Sequence, residues 1–229
     1  MAKSSLNFQK ANPSEFKHID RTIRPNYLIG TSKYNECDMD TPTARQYLRY
    51  LLLIAADKFK YYKKQTLQAK SYLWEAVVNC TEDHGLVELQ RLATAIEHET
   101  GFTVIQTAVH KDEGYIDEKG VQIFNFHAHI VFFTLDQETG VQLYRRDVTT
   151  ACQRSLVNEV NHNYPELNIE QKKKMVSKIK KGRYSDKLMN RARLSKLQDI
   201  TAEILGMERG KRGSEDTHMT PSSIKDSSQ

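Results

Sequence analysis

The chain is poor in cysteine. It has three in 229 residues, Cys37, Cys80 and Cys152, and no paired spacing relates them. A disulfide framework is therefore not expected, and a reducing compartment is. Long apolar runs are missing as well. The longest, Leu51 to Ala56, falls far short of the roughly 20 residues that cross a bilayer. No apolar segment follows Met1-Ala2-Lys3-Ser4, so the opening residues do not read as a signal peptide. The expectation is a soluble cytoplasmic protein. There is no internal repeat and no H-E-x-x-H helix motif, which sets aside solenoids and that class of metalloprotease.

What is there is charge, unevenly spread. The net charge is +5 and the pI about 8.9. Between Gln171 and Arg212 nine lysines and five arginines face only Asp186, Asp199, Glu203 and Glu208, a surplus of ten, so the rest of the chain is at −5. A basic half of this kind points to a polyanion such as nucleic acid. The plainer reading is a set of solvated helix faces.

The chain is long enough for one large domain with a full core or for two small ones. Residues 1–40 show little periodic structure. Arg24 to Ile29 reads as a short strand after Pro25, and His18 as a loop or strand-edge residue. Asp40-Thr41-Pro42 opens a helix that runs to about Gln65. It carries Tyr47, Tyr50, Tyr61 and Tyr62, which at helical spacing are read first as packing. Ser71 to Cys80 is a strand. Glu82 to Thr100 is a helix with Leu86, Leu89, Leu92, Ala93 and Ile96 on its apolar face and Gly101 as its C-cap. Phe102 to Val109 and Ile130 to Phe133 are strands. Val141 to Tyr144 extends as a short one. Helices follow at Asp147 to about Asn161, Ile169 to Lys181 and Tyr184 to Leu205, separated by Pro165 and Gly182. The order β, α, β, α, β, β, then helices gives an α+β class: an antiparallel sheet flanked by helices, with a helical basic C-terminal part. One domain spans 1–210, its basic DNA-binding part 146–210, and 211–229 reads as a polar tail or linker.

The stretch His110 to Leu135 organises the rest. His127-Ala128-His129 enters an apolar, β-branched and aromatic run. Residues i and i+2 of a strand face the same side, about 6–7 Å apart. An earlier strand ends at His110, with Glu113 three residues on, and G-Y-I-D-E-K-G makes a hairpin connection between them. If the two strands pair antiparallel, His110 and Glu113 return beside His127 and His129. Three imidazoles and a carboxylate suit a first-row divalent metal. No cysteine lies near, which argues against a zinc finger.

Several pieces then coincide. Phe16-Lys17-His18-Ile19-Asp20-Arg21 resembles an H-x-x-R opening, and Pro25-Asn26-Tyr27-Leu28 an N-Y-x-L segment. His110-x-x-Glu113 with His127-Ala128-His129 forms the third motif, and Glu208-Arg209-Gly210-Lys211 with His218 a weaker ending. In this order they resemble the relaxase domain of plasmid mobilisation proteins in the HUH endonuclease superfamily, closest to the Mob/Pre (MobV) group. The sequence departs from that group in one place. There the H-x-x-E and H-x-H are almost adjacent and joined by a proline; here Gly114 to Phe126 separates them, and Phe126 stands at the proline's position.

The resemblance implies a relaxase. It would nick one strand of supercoiled plasmid DNA at an origin of transfer, leaving the 5′ phosphate on a side chain, in a reversible transesterification. His110, His127 and His129 would hold Mn²⁺ or Mg²⁺, with Glu113 as a fourth ligand or an orienting group. The Mob/Pre pattern implies His18 as the nucleophile, with Tyr27 next and Tyr47 or Tyr50 after it. Arg21 would hold a phosphate or steady transition-state charge. Lys172, Lys173, Lys174, Lys178, Lys180, Lys181, Arg183, Arg191 and Arg193 would contact the backbone of duplex DNA beside the nick while the single strand enters the site. Accessory mobilisation or coupling proteins are further partners in such systems, whose relaxases often carry a C-terminal region for dimerisation, membrane association or partner proteins. Three alternatives stand beside this reading. One is a rolling-circle initiator or transposase nuclease with Tyr184 as nucleophile, one a non-catalytic origin-binding protein, and one a metal-dependent hydrolase of a small substrate.

Overall fold

The computed structural model describes residues 2–30, 34–144, 150–184 and 191–211, with backbone alone at 150–154, 180–184 and 191. The side chains of Lys180, Lys181, Arg183, Tyr184 and Arg191 lie outside the described residues, as do His218 and the tail from residue 212.

The elements in chain order are β1 (Lys3–Ser4), β2 (Leu6–Lys10), α1 (Phe16–Ile19), β3 (Glu36–Cys37), α2 (Thr41–Lys63), β4 (Leu73–Asn79), α3 (Leu86–Thr100), β5 (Thr103–His110), β6 (Gly114–Ile116), β7 (Gln122–Phe124), β8 (His127–Phe133), α4 (Thr150–Asn163), α5 (Ile169–Tyr184), α6 (Arg191–Ile204) and β9 (Glu208–Arg209). Five strands form one sheet in the order β2-β4-β8-β5-β3, every neighbour antiparallel. The expected α+β architecture holds. Among the described residues no helix is long and apolar enough to cross a membrane.

The sheet is covered on both faces, because its central strands carry apolar side chains on both sides. β8 is buried at all seven positions. Its even residues Ala128, Ile130 and Phe132 meet Leu89, Leu92 and Ile96 of α3 and Leu197 of α6. Val131 and Phe133 meet Ala44, Leu48, Leu51 and Ala55, the stripe of α2 that faces the sheet, together with Phe16 and Ile19 of α1. The helix starts are chemically marked. Asp40 caps α2, its carboxylate accepting from Thr43 N–H at 2.9 Å, and Gly101 closes α3 at φ +74°.

One irregularity sits in β5. Val104 pairs with Phe132 and Gln106 with Val131, so Ile105 is an extra residue, a β-bulge. Beyond it the ladder continues through Ala108 opposite His129 to His110 opposite His127.

Several elements differ from the sequence-based expectation. Residues 1–40 contain β2, whose inward Leu6 is buried while Asn7, Gln9 and Lys10 are partly or fully exposed; a short edge strand gives only a faint alternation. Arg24 to Ile29 is no strand but a turn with a single bridge, Leu28 to Glu113, and Val141 to Tyr144 reduces to one bridge, Leu135 to Gln142. His18 lies in neither loop nor strand edge but on the one-turn helix α1. Helix α3 starts at Leu86, four residues later than expected, behind the turn at 82–83. Gly182 does not break the chain: α5 runs through it to Tyr184. At the far end, Glu208–Arg209 pairs parallel with Lys3–Ser4.

Candidate active site

Two strands and one short helix build the site. β5 delivers His110 and β8 delivers His127 and His129, all on the α1/α2 face of the sheet. The expected antiparallel pairing is present, with His110 directly opposite His127. Helix α1 is pressed onto the same face by Phe16 and Ile19, 0% and 1% exposed. That places His18 over the other rings. Its centroid is 5.5 Å from those of His110 and His129. The rings of His110 and His129 are 4.6 Å apart, and those of His127 and His129 4.9 Å.

Each strand histidine has one nitrogen committed. A ring nitrogen facing a carbonyl or carboxylate oxygen must be the N–H donor, so the partner fixes the tautomer. His110 Nε2 donates to the Ile19 carbonyl at 2.8 Å, His127 Nδ1 to the Asn125 carbonyl at 2.9 Å, and His129 Nδ1 to Glu75 Oε1 at 2.6 Å. The lone pairs left over belong to His110 Nδ1, His127 Nε2 and His129 Nε2. Two of these, His110 Nδ1 and His129 Nε2, are buried with no hydrogen-bond partner. Buried polar atoms are rarely left so, since the loss costs about 1–3 kcal/mol each. Three imidazoles oriented from behind are what a divalent cation requires. The potential ligand atoms of His18, His110 and His129 lie within 4.8 Å of one another, as do those of His110, Glu113 and His127. The residues fit a metal ion.

The electrostatics agree. Burial holds the His110 ring well below histidine's usual value, and burial followed by the neighbouring His129 lowers His127 to about 4. Burial, then His129 and Arg21, also lowers His18, outweighing Glu113. Near neutral pH these rings are uncharged, with lone pairs to give. Burial alone would raise the Glu75 carboxyl. The hydrogen bond from His129, and another from Gln9 Nε2 at 2.6 Å, bring it below the usual carboxylate range.

Glu113 stands at the centre. Its Oε1 is 3.7 Å from His110 Nδ1, 3.7 Å from His127 Nε2 and 3.8 Å from His18 Nε2. Arg21 ties it down: Nη2 donates to Glu113 Oε1 at 2.6 Å and to Asp112 Oδ1 at 2.7 Å. The Arg21 side chain is only 7% exposed, and its Nη1 lies 3.4 Å from His18 Nδ1. Arg21 thus holds a carboxylate pair and touches the candidate nucleophile. Its backbone φ of +60° is rare for arginine and follows directly on α1. Asn35 Nδ2 donates to the other oxygen of Asp112 at 2.6 Å.

The tyrosines are placed differently. Tyr27 is half-buried beside the Leu28–Glu113 bridge, and burial, then the charge of Glu113, raises its phenol. Tyr47 and Tyr50 stack on each other along α2, centroids 6.5 Å apart, with Tyr47 packed on the core and Tyr50 exposed. Of the expected DNA contacts, Lys173, Lys174 and Lys178 are exposed on α5, and Lys172 and Arg193 are half-buried. Sequence reasoning missed Glu75, Asp112 and Asn35. Glu75 did carry a signal, as the single charge inside the apolar run Leu73 to Val78. Asn35 carried none.

No protein-family profile and no curated protein matches this chain. Among solved structures, the architecture matches the fold of a relaxase domain. The matching structure is the MobM relaxase domain (MOBV; Mob_Pre), a Mn-bound crystal structure in complex with plasmid pMV158 oriT DNA. The match covers all of both chains with a TM-score of 0.54 at 14% identity. At that identity the likeness establishes the shared fold.

Proposed function

We propose that this chain is a relaxase of the Mob/Pre type, which nicks one strand of plasmid DNA at an origin of transfer with His18 as the nucleophile. The observation that carries the reading is the set of three tautomer-fixed imidazoles with lone pairs turned inward and a fourth, neutral histidine held over them. His110 Nδ1, His127 Nε2 and His129 Nε2 would hold Mn²⁺ or Mg²⁺. A divalent ion there supplies Lewis-acid polarisation of the scissile phosphate and neutralises its oxygens.

The remaining work falls to the chain's own groups. The His18 ring bonds to phosphorus as the P–O3′ bond breaks. The 5′ phosphate stays on the ring as a phosphoramidate, and the leaving 3′-oxygen gains the proton the ring gives up. Glu113, 3.8 Å from His18 Nε2, is the carboxylate placed to carry that proton. Arg21 fixes Glu113 and the imidazole together, a positioning role that its burial favours over direct phosphate binding. The exposed lysines of α5, Lys173, Lys174 and Lys178, supply backbone contacts to adjacent duplex.

The test is to incubate the protein with supercoiled plasmid bearing its candidate origin, with Mn²⁺ or with EDTA, and trap the adduct. A Mn²⁺-dependent adduct that is lost in mild acid, kept in alkali and absent in His18→Ala is the expected result. An acid-stable adduct that survives in His18→Ala and maps to a tyrosine would overturn the choice of nucleophile. The absence of any nick would overturn the enzyme.

A further inference from the structure

The hairpin β6–β7 leaves the sheet at the active site and returns to it: Glu113 precedes its first strand, and His127 follows its second after Asn125 and Phe126. It is built as a stiff object. Asp117 Oδ1 accepts from the backbone N–H groups of Lys119 and Val121 at 2.9 and 2.8 Å, and Gly120 takes the left-handed turn position at φ +80°. On its back face Phe124 stacks parallel to Phe126, centroids 5.6 Å apart, and lies against Gly30.

Among the described residues its front face stays exposed. Tyr115 is opposite Ile123 in the ladder, and Asp117 N–H bonds to Val121 O, so Tyr115, Ile123 and Val121 share one side. They are 44%, 38% and 53% exposed. The opposite side also exposes Ile116 but is partly taken up by the Phe124–Phe126 stack, and an exposed apolar cluster of this kind marks a contact surface. The direction of that face is set by chain geometry. Glu113 and Tyr115 are two residues apart in one extended segment, so they project to the same side, about 6–7 Å apart along the chain. Glu113 points at His18, His110 and His127. The apolar face therefore continues the catalytic face outward.

We infer that this face is a stacking platform for bases of the single strand next to the scissile phosphate, with Tyr115 as its aromatic anchor. The inference rests on the nicking reading above. An apolar face without cations suits bases, not phosphates, since every base has a π-face and stacking on aromatics tolerates sequence. Continuity with the histidines selects the strand being cut over a protein partner.

The probe is a single-stranded oligonucleotide of mixed sequence with 5-iodouracil in place of thymine, bound to the full chain carrying His18→Ala so that no adduct forms. Irradiation should cross-link Tyr115. Tyr115→Ala should weaken binding about 5- to 150-fold, the range for loss of one stacked base. Ile123→Ala should weaken it less, and Tyr115→Phe should bind like its parent. Both positions are exposed, so the variants should melt as the parent does. Unchanged affinity in Tyr115→Ala, or cross-links only elsewhere, overturns the platform even if wild-type protein nicks plasmid. A concentration-dependent dimer lost in Tyr115→Ala would also overturn it, assigning the face to a second copy. Hairpin-dependent oligonucleotide binding by a wild-type protein that never nicks would uphold the platform and overturn the enzyme.

Discussion

Replacing Glu75 with glutamine isolates the charge behind His129. The carboxylate is 4% exposed; one oxygen accepts from His129 Nδ1 at 2.6 Å and the other from Gln9 at 2.6 Å. Glutamine keeps the length and can still accept from His129 through its amide oxygen. It removes the negative charge behind the imidazole, and it turns an NH₂ toward Gln9. Changes in groups behind a metal-bound histidine commonly cost 10- to 100-fold in metal affinity, about 1.4–2.7 kcal/mol. Mn²⁺ titration by calorimetry should show that loss in Glu75→Gln. Glu75→Ala goes further, leaving a buried His129 N–H without an acceptor. Urea unfolding in EDTA should show it less stable by about 1–3 kcal/mol before any metal is added. If Glu75→Gln binds Mn²⁺ as tightly as wild type, the carboxylate does not tune His129, and the assignment of His129 Nε2 as a ligand atom loses its support.

Three further outcomes follow from the same geometry. Arg21→Ala should destabilise the fold by about 3–5 kcal/mol in urea unfolding, because Asp112 and Glu113 are left buried without their cation; Arg21→Lys should recover only part, since an ammonium lacks the guanidinium fork. Asp20 accepts from Thr41 N–H at 2.6 Å and Thr22 N–H at 2.9 Å. Burial opposes but these bonds outweigh it, and its carboxyl sits below the usual range. Its stabilising effect is present above the ordinary aspartate value and is lost as pH falls through the depressed one. Asp20→Asn should therefore flatten the acid limb of a stability–pH curve below about pH 4. A methyl group on Gly114 would meet the Ile123 carbonyl oxygen at 2.1 Å and Ile29 Cδ1 at 2.6 Å, so Gly114→Ala should open the hairpin and cost about 1–3 kcal/mol in thermal unfolding.

The sequence made the centre of the molecule readable and left its support hidden. The alternation around His127-Ala128-His129 and the run ending at His110 are local patterns, and a hairpin connection between them leaves antiparallel pairing as the simple solution. The histidine cluster could therefore be located from a 26-residue stretch. The groups that orient it could not. Glu75 reaches His129 from 54 residues away, Asn35 reaches Asp112 from 77, and the Ile19 carbonyl meets His110 across 91. Those partnerships depend on strand order β4-β8-β5, which no single segment encodes. His18 was named from a motif, whereas its placement on a helical turn depends on Phe16 and Ile19 finding the sheet. The misread boundary at Gly182 has another cause: α5 continues through it because a single glycine costs only about 1 kcal/mol in a helix interior.

The extra residue at Ile105 has a consequence for how β5 can be altered. The bulge separates two segments of the strand that are out of phase by one residue: Thr103 and Val104 keep step with Phe133 and Phe132, while Gln106 to His110 keep step with the histidine end of β8. A strand shortened by that one residue would satisfy both, because Gln106 would follow Val104 directly opposite Val131 and His110 would stay opposite His127. What such a deletion removes is the Ile105 side chain, buried in the cluster beneath α2. Its loss would cost stability by emptying part of that cluster, while the register that brings the histidines together would remain.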